Sequence, residues 1–141
     1  RKKSKSFKIG TVRMINKMII EDVWDQIRVW IKSNIRQYSK TAIIGSGGNI
    51  NKIFKIAGIL DSRPLTLIKL NSIYNSLKKM SYEERIINLD LNPDRSDVII
   101  PAAEIFLRTL EWSESTEIFV PKIGLADGMI RLLYKRVNSL K

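Results

Sequence analysis

The residues best suited to chemistry form a glycine-rich turn, Gly45–Asn49, which reads GSGGN. Glycines let a backbone approach an anion closely, because no Cβ intervenes and a positive φ costs little. A helix that begins at such a turn adds unpaired N–H groups and about half a positive charge, both of which favour phosphate. The turn therefore predicts a phosphate-binding site. The alternative is an ordinary strand-to-helix turn that binds no ligand.

The turn matches neither of two well-known glycine-rich nucleotide motifs. The P-loop requires a second Gly followed by Lys, and this sequence has Ile50 and Asn51 at those positions. The dinucleotide-binding motif requires a third Gly, where Ile50 also stands. Any phosphate site at this turn is therefore of another kind.

The chain contains no His and no Cys. Their absence excludes a Ser-His-Asp triad, a cysteine phosphatase, a phosphohistidine intermediate and a zinc site built from His or Cys. Carboxylates, hydroxyls, Lys, Arg and backbone amides are left. These groups suit magnesium-assisted phosphate chemistry, in which catalysis is mostly positioning and charge stabilisation. A chain without cysteine also fits a reducing compartment.

Length and composition predict one soluble globular domain, since the 141 residues are 44% hydrophobic and 28% charged. No apolar run approaches the roughly 20 residues of a membrane span, and no signal peptide is visible. The net charge of +11 predicts a polyanionic partner or a basic solvated surface. Because the chain begins with Arg rather than Met, we expect a processed product or a piece of a longer protein.

The residues before and after the turn predict the strand and the helices that surround it. Thr41–Ile44 is an apolar run that predicts a short buried strand, and apolar residues then recur at helical spacing as far as Gly58, a predicted helix end. Thr66 predicts the N-cap of the next helix, and Ser81–Glu84 is a capping box. The other predicted elements are a strand over 6–14, a helix over 21–38, a helix over 95–111, a strand over 116–120 and a helix over 124–137. We expect both tryptophans of the helix over 21–38 to lie in the core, and Pro101 to lie in the first turn of the helix over 95–111 or at a kink. In the last helix, the residues expected to face inward are Leu125, Met129, Leu132 and Leu133.

This alternation of strands and helices predicts an α/β fold with at least partly parallel pairing. Three predicted strands are few for a sheet, so we expect further strands upstream of Arg1. No internal repeat or linker divides the chain, and we therefore expect one domain over residues 1–141.

Four segments resemble motifs of one family, in the same order and at similar spacing. They are Phe7–Arg13 (FKIGTVR), Ile44–Asn49 (IGSGGN), Leu91–Ile99 (LNPDRSDVI) and Gly124–Gly128 (GLADG). The family is the Ppx/GppA exopolyphosphatases and guanosine pentaphosphatases. The resemblance implies an actin-like, ribonuclease H-like fold of two lobes with the active site between them. This chain resembles most of the second lobe, with a partial mixed sheet flanked by helices.

The resemblance also implies which residues face the substrate. Matches to the family's glycine turn, expected to bind the phosphate chain or nucleotide, are Gly45, Ser46, Gly47, Gly48 and Asn49. Asn49 stands where the family usually has Thr, and an Asn can still cap the helix.

Arg95 matches a family Arg at the start of a later helix and is expected to reach the polyanion, with a salt bridge to Asp94 or Asp97 as the alternative. In the last motif, Ala126 replaces Arg, and we expect Asp127 and Gly128 to serve helix initiation and close packing.

No catalytic residue and no metal ligand is assigned to this chain. The family's first-lobe phosphate loop, catalytic Glu and DIGGGS turn have no counterpart and would lie before Arg1. The implied activity of the parent is magnesium-dependent removal of terminal phosphates from inorganic polyphosphate or guanosine pentaphosphate. We expect a cytoplasmic protein without membrane partners and an inactive isolated piece. The missing N-terminal lobe would be its partner, and a homodimer is left open. Two other interpretations are a non-catalytic nucleic-acid-binding module and a sugar or acetate kinase lobe.

Overall fold

The computed structural model describes residues 3–20, 22–38, 41–60, 63–121 and 124–139. Short strands are interspersed among helices along the described chain, with several helices in succession between the second and third strands. In chain order, the elements are α1 (Thr11–Ile15), α2 (Val23–Ile35), β1 (Ile43–Ile44), α3 (Gly48–Ala57), β2 (Leu65–Thr66), α4 (Leu67–Lys79), α5 (Tyr82–Leu89), α6 (Pro93–Ser96), α7 (Ile99–Trp112), β3 (Glu117–Phe119) and α8 (Leu125–Asn138).

A small mixed sheet connects these elements, with strand order β1-β3-β2. β1 runs parallel to β3, with Ile43 opposite Ile118, and β2 runs antiparallel to β3, with Leu65 also opposite Ile118. The prediction of an α/β fold with a partial mixed sheet is therefore confirmed. β2 was not predicted, because two residues between a loop and a helix leave no periodic signal.

The main hydrophobic core lies between one face of this sheet and helices α3, α4 and α7. Fully buried aliphatic side chains fill it, and each contributes roughly 1.5–3 kcal/mol relative to exposure. They are Ile50, Ile53, Leu65, Leu70, Leu77, Ile99, Leu110 and Ile118. This core fixes β1 and α3, and thus both ends of the glycine turn.

A second hydrophobic cluster forms around α2 and includes the two tryptophans of that helix. Trp24 contacts Trp112 edge to face, with ring centroids 5.9 Å apart, and Trp30 makes the same kind of contact with Phe7 at 5.9 Å. The prediction that these tryptophans pack in the core, instead of forming a base-stacking platform, is confirmed.

Most predicted helix ends are confirmed. Gly58 ends α3 in the left-handed conformation, at φ 64°, and the Thr66 hydroxyl accepts the Lys69 N–H at the start of α4. In the capping box, Ser81 Oγ accepts the Glu84 N–H at 3.1 Å, and Glu84 Oε2 accepts the Ser81 N–H at 2.7 Å. Pro101 is the third residue of α7 and so lies in its first turn.

The predicted strand over Ser6–Met14 is wrong. Residues 3–10 form no strand, and Gly10 is the N-cap of α1. The alternating apolar residues Phe7 and Ile9 pack against the α2 cluster. An extended segment lying on a helix therefore produces the same period of two as a strand in a sheet. The predicted helix over 95–111 is also divided, into α6 and α7.

The predicted inward face of the last helix is wrong as well. Met129, Leu132 and Leu133 are 55%, 53% and 56% exposed, and the side chain of Leu125 lies outside the described residues. Asp127 Oδ2 accepts the Gly124 N–H at 2.7 Å, so its predicted role in helix initiation is confirmed. A Cβ on Gly128 would meet no atom within 4 Å, and close packing there is not found. Within the described residues, no helix has both the length and the apolar character needed to cross a membrane.

Candidate functional site

The glycine turn begins where β1 ends, and its first glycine belongs to the core. The Gly45 N–H donates to the Phe119 carbonyl at 2.8 Å, which continues the pairing of β1 with β3. A Cβ on Gly45 would lie 2.7 Å from Ile118 Cδ1 and 3.0 Å from Ile50 Cγ1. Both side chains are fully buried. Gly45 is therefore a glycine because the core leaves no space for a side chain.

Gly47 is a glycine for a different reason. It is the N-cap of α3 and has φ 108° and ψ 166°, a conformation that residues with a Cβ rarely adopt. Its carbonyl accepts the Asn51 N–H at 3.2 Å, which is the first turn of the helix. Asn49 is the second residue of α3, so the expectation that it caps the helix is wrong.

The start of α3 is open to solvent. Ser46, Gly47 and Gly48 are exposed and Asn49 is half-buried. Among the described residues, none of the N–H groups from Ser46 to Asn49 donates to an acceptor. The first N–H groups of a helix lack intrahelical partners, and they carry its positive partial charge. The turn therefore presents donors and positive potential to whatever enters.

Arg95 reaches this turn from the short helix α6. Its guanidinium lies against Gly48, where a Cβ would stand 2.5 Å from Nη1, 2.7 Å from Nη2 and 3.0 Å from Cζ. The φ of Gly48 lies outside the left-handed region. The absence of a side chain at Gly48 therefore gives Arg95 its position.

Several hydrogen bonds hold α6 in place beside α3. The buried Ser96 hydroxyl donates to the Tyr82 carbonyl at 3.1 Å, and the Tyr82 hydroxyl donates to the Pro93 carbonyl at 3.4 Å. From α3, Lys52 Nζ donates to the Asp90 carbonyl at 2.6 Å, in the segment that precedes α6. These contacts tie the helix that carries Arg95 to both α5 and α3.

An open cavity of about 500 Å³ lies between the turn and α6. Its lining residues are Gly48, Asn49, Asn92, Asp94, Arg95 and Val98. The ion pairs of the described residues are Asp25–Arg28 and Glu104–Arg108, so Arg95 forms neither of the alternative salt bridges. Its charge is thus available to a ligand, while the exposed Asp94 carboxylate opposes an anion at the rim.

Acidic side chains are sparse around this cavity among the described residues. No group of three or more Asp, Glu, His or Cys residues comes together among them. Asp94 is the carboxylate that lines the cavity. Mg²⁺ is often held by one or two carboxylates together with substrate phosphates, and Asp94 is the described residue at this cavity that could contribute one.

The structure brings together three of the six residues that the resemblance assigns to the site. Gly48, Asn49 and Arg95 line the cavity, Ser46 and Gly47 form its exposed approach, and Gly45 is buried behind it. The sequence analysis missed Asn92, which lines the same cavity. Its position before Pro93 marks a helix start, but this local signal does not reveal which surface lies opposite.

Solved Ppx/GppA structures have a similar fold. The Aquifex aeolicus member of the Ppx/GppA protein family aligns with a TM-score of 0.72 and 21% identity, over 97% of this chain and 50% of that one. An exopolyphosphatase from Cytophaga hutchinsonii aligns with a TM-score of 0.70 and 19% identity, over 97% of this chain and 50% of that one. The type II variant of the Aquifex aeolicus Ppx/GppA phosphatase aligns with a TM-score of 0.67 and 21% identity, over 92% of this chain and 48% of that one.

No protein-family model matches the chain, and no curated protein matches it. The chain spans about half the length of the solved structures that it resembles. Its fold is therefore that of about half of a Ppx/GppA exopolyphosphatase structure, as the four sequence motifs predict.

Proposed function

We propose that this chain is part of a phosphoanhydride hydrolase of the exopolyphosphatase type, in which the glycine turn and Arg95 hold the phosphate chain. The observation that carries the proposal is the position of the Arg95 guanidinium against Gly48, at the exposed start of α3. The likeness of the fold to Ppx/GppA exopolyphosphatase structures supports it. The proposed substrate is inorganic polyphosphate, with guanosine pentaphosphate as the alternative.

Binding would combine two kinds of donor on one phosphate chain. The guanidinium of Arg95 has a planar fork that matches two phosphate oxygens. The N–H groups at the start of α3 would donate to oxygens of the same or the next phosphate. Asn49 and Asn92 line the cavity and add neutral amide donors that suit an anion at any pH.

The hydrolytic step would need groups that this chain does not supply. In the proposed parent, a Glu from the missing N-terminal lobe activates water. Bound Mg²⁺ would neutralise charge on the phosphate oxygens. The residues of this chain would hold the phosphate chain in line for attack, and we expect the 141-residue chain alone to bind polyphosphate without hydrolysing it. The parent is proposed to be cytoplasmic.

Polyphosphate binding by two charge-matched variants tests the proposal. Arg95→Gln and Arg131→Gln each remove one positive charge, but Arg131 lies on the exposed helix α8 and does not line the cavity. Loss of charge-assisted hydrogen bonds at Arg95 should raise the Kd by about tenfold to a hundredfold, measured by calorimetry at fixed salt. Arg131→Gln should change it by less than about threefold. Equal effects of the two variants would refute the site.

The basic nucleic-acid-binding alternative gives a different result in competition. Short single-stranded DNA, at an equal concentration of phosphate groups, should displace polyphosphate poorly if the turn recognises a chain of unsubstituted phosphates. Both ligands should bind more weakly as salt rises, because each releases counterions. Stronger binding of DNA, unaffected by Arg95→Gln, would favour a nucleic-acid-binding module.

A further inference from the structure

The position of Arg95 depends on how the short helix α6 is held relative to α3. α6 has four residues, and a single helical turn is not stable by itself, so its surroundings fix its position. Two hydrogen bonds join α6 to α5, one from the Ser96 hydroxyl to the Tyr82 carbonyl and one from the Tyr82 hydroxyl to the Pro93 carbonyl. They set α6 against α5, but they do not reach α3, the helix that begins at Gly48.

Lys52 joins α3 to this pair of helices. It lies four residues after Gly48 on α3, and its Nζ donates to the Asp90 carbonyl at 2.6 Å. Among the described residues, this is the one hydrogen bond between α3 and residues 82–96. Both α3 and α6 also pack against α7, but apolar contact is non-directional, whereas a hydrogen bond fixes a distance and an angle. Lys52 therefore sets how α3 is aligned with the segment that carries Arg95.

The Lys52 bond falls on the bend that leads the chain into α6. Asp90 follows the last residue of α5 and has a left-handed φ of 49°, which is uncommon for a residue with a side chain. After this bend, Leu91 enters the core and is 2% exposed, and Asn92 is the N-cap of α6. The last carbonyls of a helix lack intrahelical partners and attract a cation. The Lys52 ammonium thus binds the carbonyl at the bend and fixes the point from which α6 starts.

We propose that Lys52 is a positioning residue, which holds the Arg95 guanidinium against Gly48 and thereby sets the affinity of this site for a phosphate chain. The proposal rests on the proposed function, because it takes Arg95 to be a ligand of that chain. Lys52 does not line the cavity between the turn and α6. It therefore acts through Arg95 and not by contact with phosphate.

The backbone amide resonance of Gly48 in NMR spectra tests this arrangement without a ligand. Arg95→Gln removes the guanidinium that lies against Gly48 and gives the reference displacement of the resonance. Lys52→Met keeps an aliphatic side chain, loses the donor and should displace the resonance in the same direction. Lys52→Arg keeps a cationic donor and should leave the resonance near its original position. Lys55→Met removes the same charge from an exposed residue of α3 and should not displace it.

Calorimetric titration with polyphosphate measures the consequence for binding. Lys52→Met should raise the Kd by about threefold to tenfold, because residues of one hydrogen-bonded network are energetically coupled. Lys55→Met should change it by less than about twofold at physiological salt, since exposed charges are screened. In the Arg95→Gln background, Lys52→Met should raise the Kd no further, because the side chain through which it acts is already absent. Urea unfolding checks that each variant is folded.

A displaced Gly48 resonance, together with a loss of affinity that requires Arg95, would support the inference. Where Arg95→Gln weakens binding, an unmoved resonance or an unchanged Kd in folded Lys52→Met would overturn it. An equal loss of affinity in the Arg95→Gln background would also overturn it, because Lys52 would then be a direct phosphate ligand. If Arg95→Gln leaves the Kd unchanged but Lys52→Met displaces the Gly48 resonance, the proposed function is refuted and the positioning of Arg95 by Lys52 is supported.

Discussion

Substitution of Gly48 by Ala tests whether the position of Arg95 matters for binding. The new Cβ would lie 2.5 Å from Nη1 of Arg95, whereas ordinary contacts begin near 3.5 Å, so the guanidinium must move by about 1 Å. The end of an Arg side chain can move at little cost. Because the φ of Gly48 is not left-handed, Ala fits the backbone and also keeps the N–H of this position.

The expected effects on stability and on binding are opposite in sign. Ala is the better helix former, so the free energy of unfolding should change by between about 0 and +1 kcal/mol. A guanidinium displaced by about 1 Å loses hydrogen bonds that require about 2.7–2.9 Å. Loss of one charge-assisted bond, at about 1.5–3 kcal/mol, predicts a polyphosphate Kd at least about tenfold higher for Gly48→Ala.

Calorimetric titration with polyphosphate and urea unfolding measure the two quantities. Gly128→Ala is the matched control, because a Cβ there meets nothing within 4 Å and should leave the Kd unchanged. The double variant Gly48→Ala with Arg95→Gln should bind no more weakly than Arg95→Gln alone, since both changes act through one side chain. A folded Gly48→Ala protein with unchanged Kd would refute the reasoning. A double variant that binds polyphosphate more weakly than Arg95→Gln alone would show that the new methyl group obstructs the ligand directly.

Three further substitutions should change stability for separate reasons, each measured by urea unfolding. Gly45→Ala should destabilise by about 1–3 kcal/mol, because its Cβ overlaps the buried Ile118, and unchanged stability would contradict the described packing. Gly47→Ala should cost about 1–3 kcal/mol through its φ of 108°, whereas Gly10→Ala, at φ 174° with nothing within 4 Å, should be nearly neutral. Ser81→Ala removes a capping-box hydroxyl and should cost about 1 kcal/mol; a cost below about 0.3 kcal/mol would mean that solvent replaces it.

The parts of the fold that the sequence predicts correctly depend on neighbouring residues. A capping box is a contact between residues three apart, so Ser81 and Glu84 are sufficient to locate the start of α5. The end of α3 depends on the left-handed conformation of Gly58, which is equally local. The glycine turn belongs to this class, since β1, the turn and α3 are consecutive.

The errors arise where a periodic pattern does not specify its partner. Phe7 and Ile9 alternate as in a strand, and they pack on α2 instead of pairing in the sheet. The apolar face of α8 has helical spacing, but Met129 and Leu133 contact no described core. An amphipathic pattern indicates that one face of a helix or strand can be buried, but the tertiary structure determines which element covers that face.

The contact between Arg95 and Gly48 could not be derived from spacing, because 47 positions separate the two residues (95 − 48). It is nevertheless a feature that an ordinary strand-to-helix turn does not require. A turn needs a glycine where φ is positive, as at Gly47, or where the core is crowded, as at Gly45. Gly48 meets neither condition, and the group that occupies the place of its side chain is a cation with no acidic partner among the described residues. The glycine at position 48 leaves room for this guanidinium, an arrangement that fits the proposed phosphate site because a guanidinium can hold two phosphate oxygens.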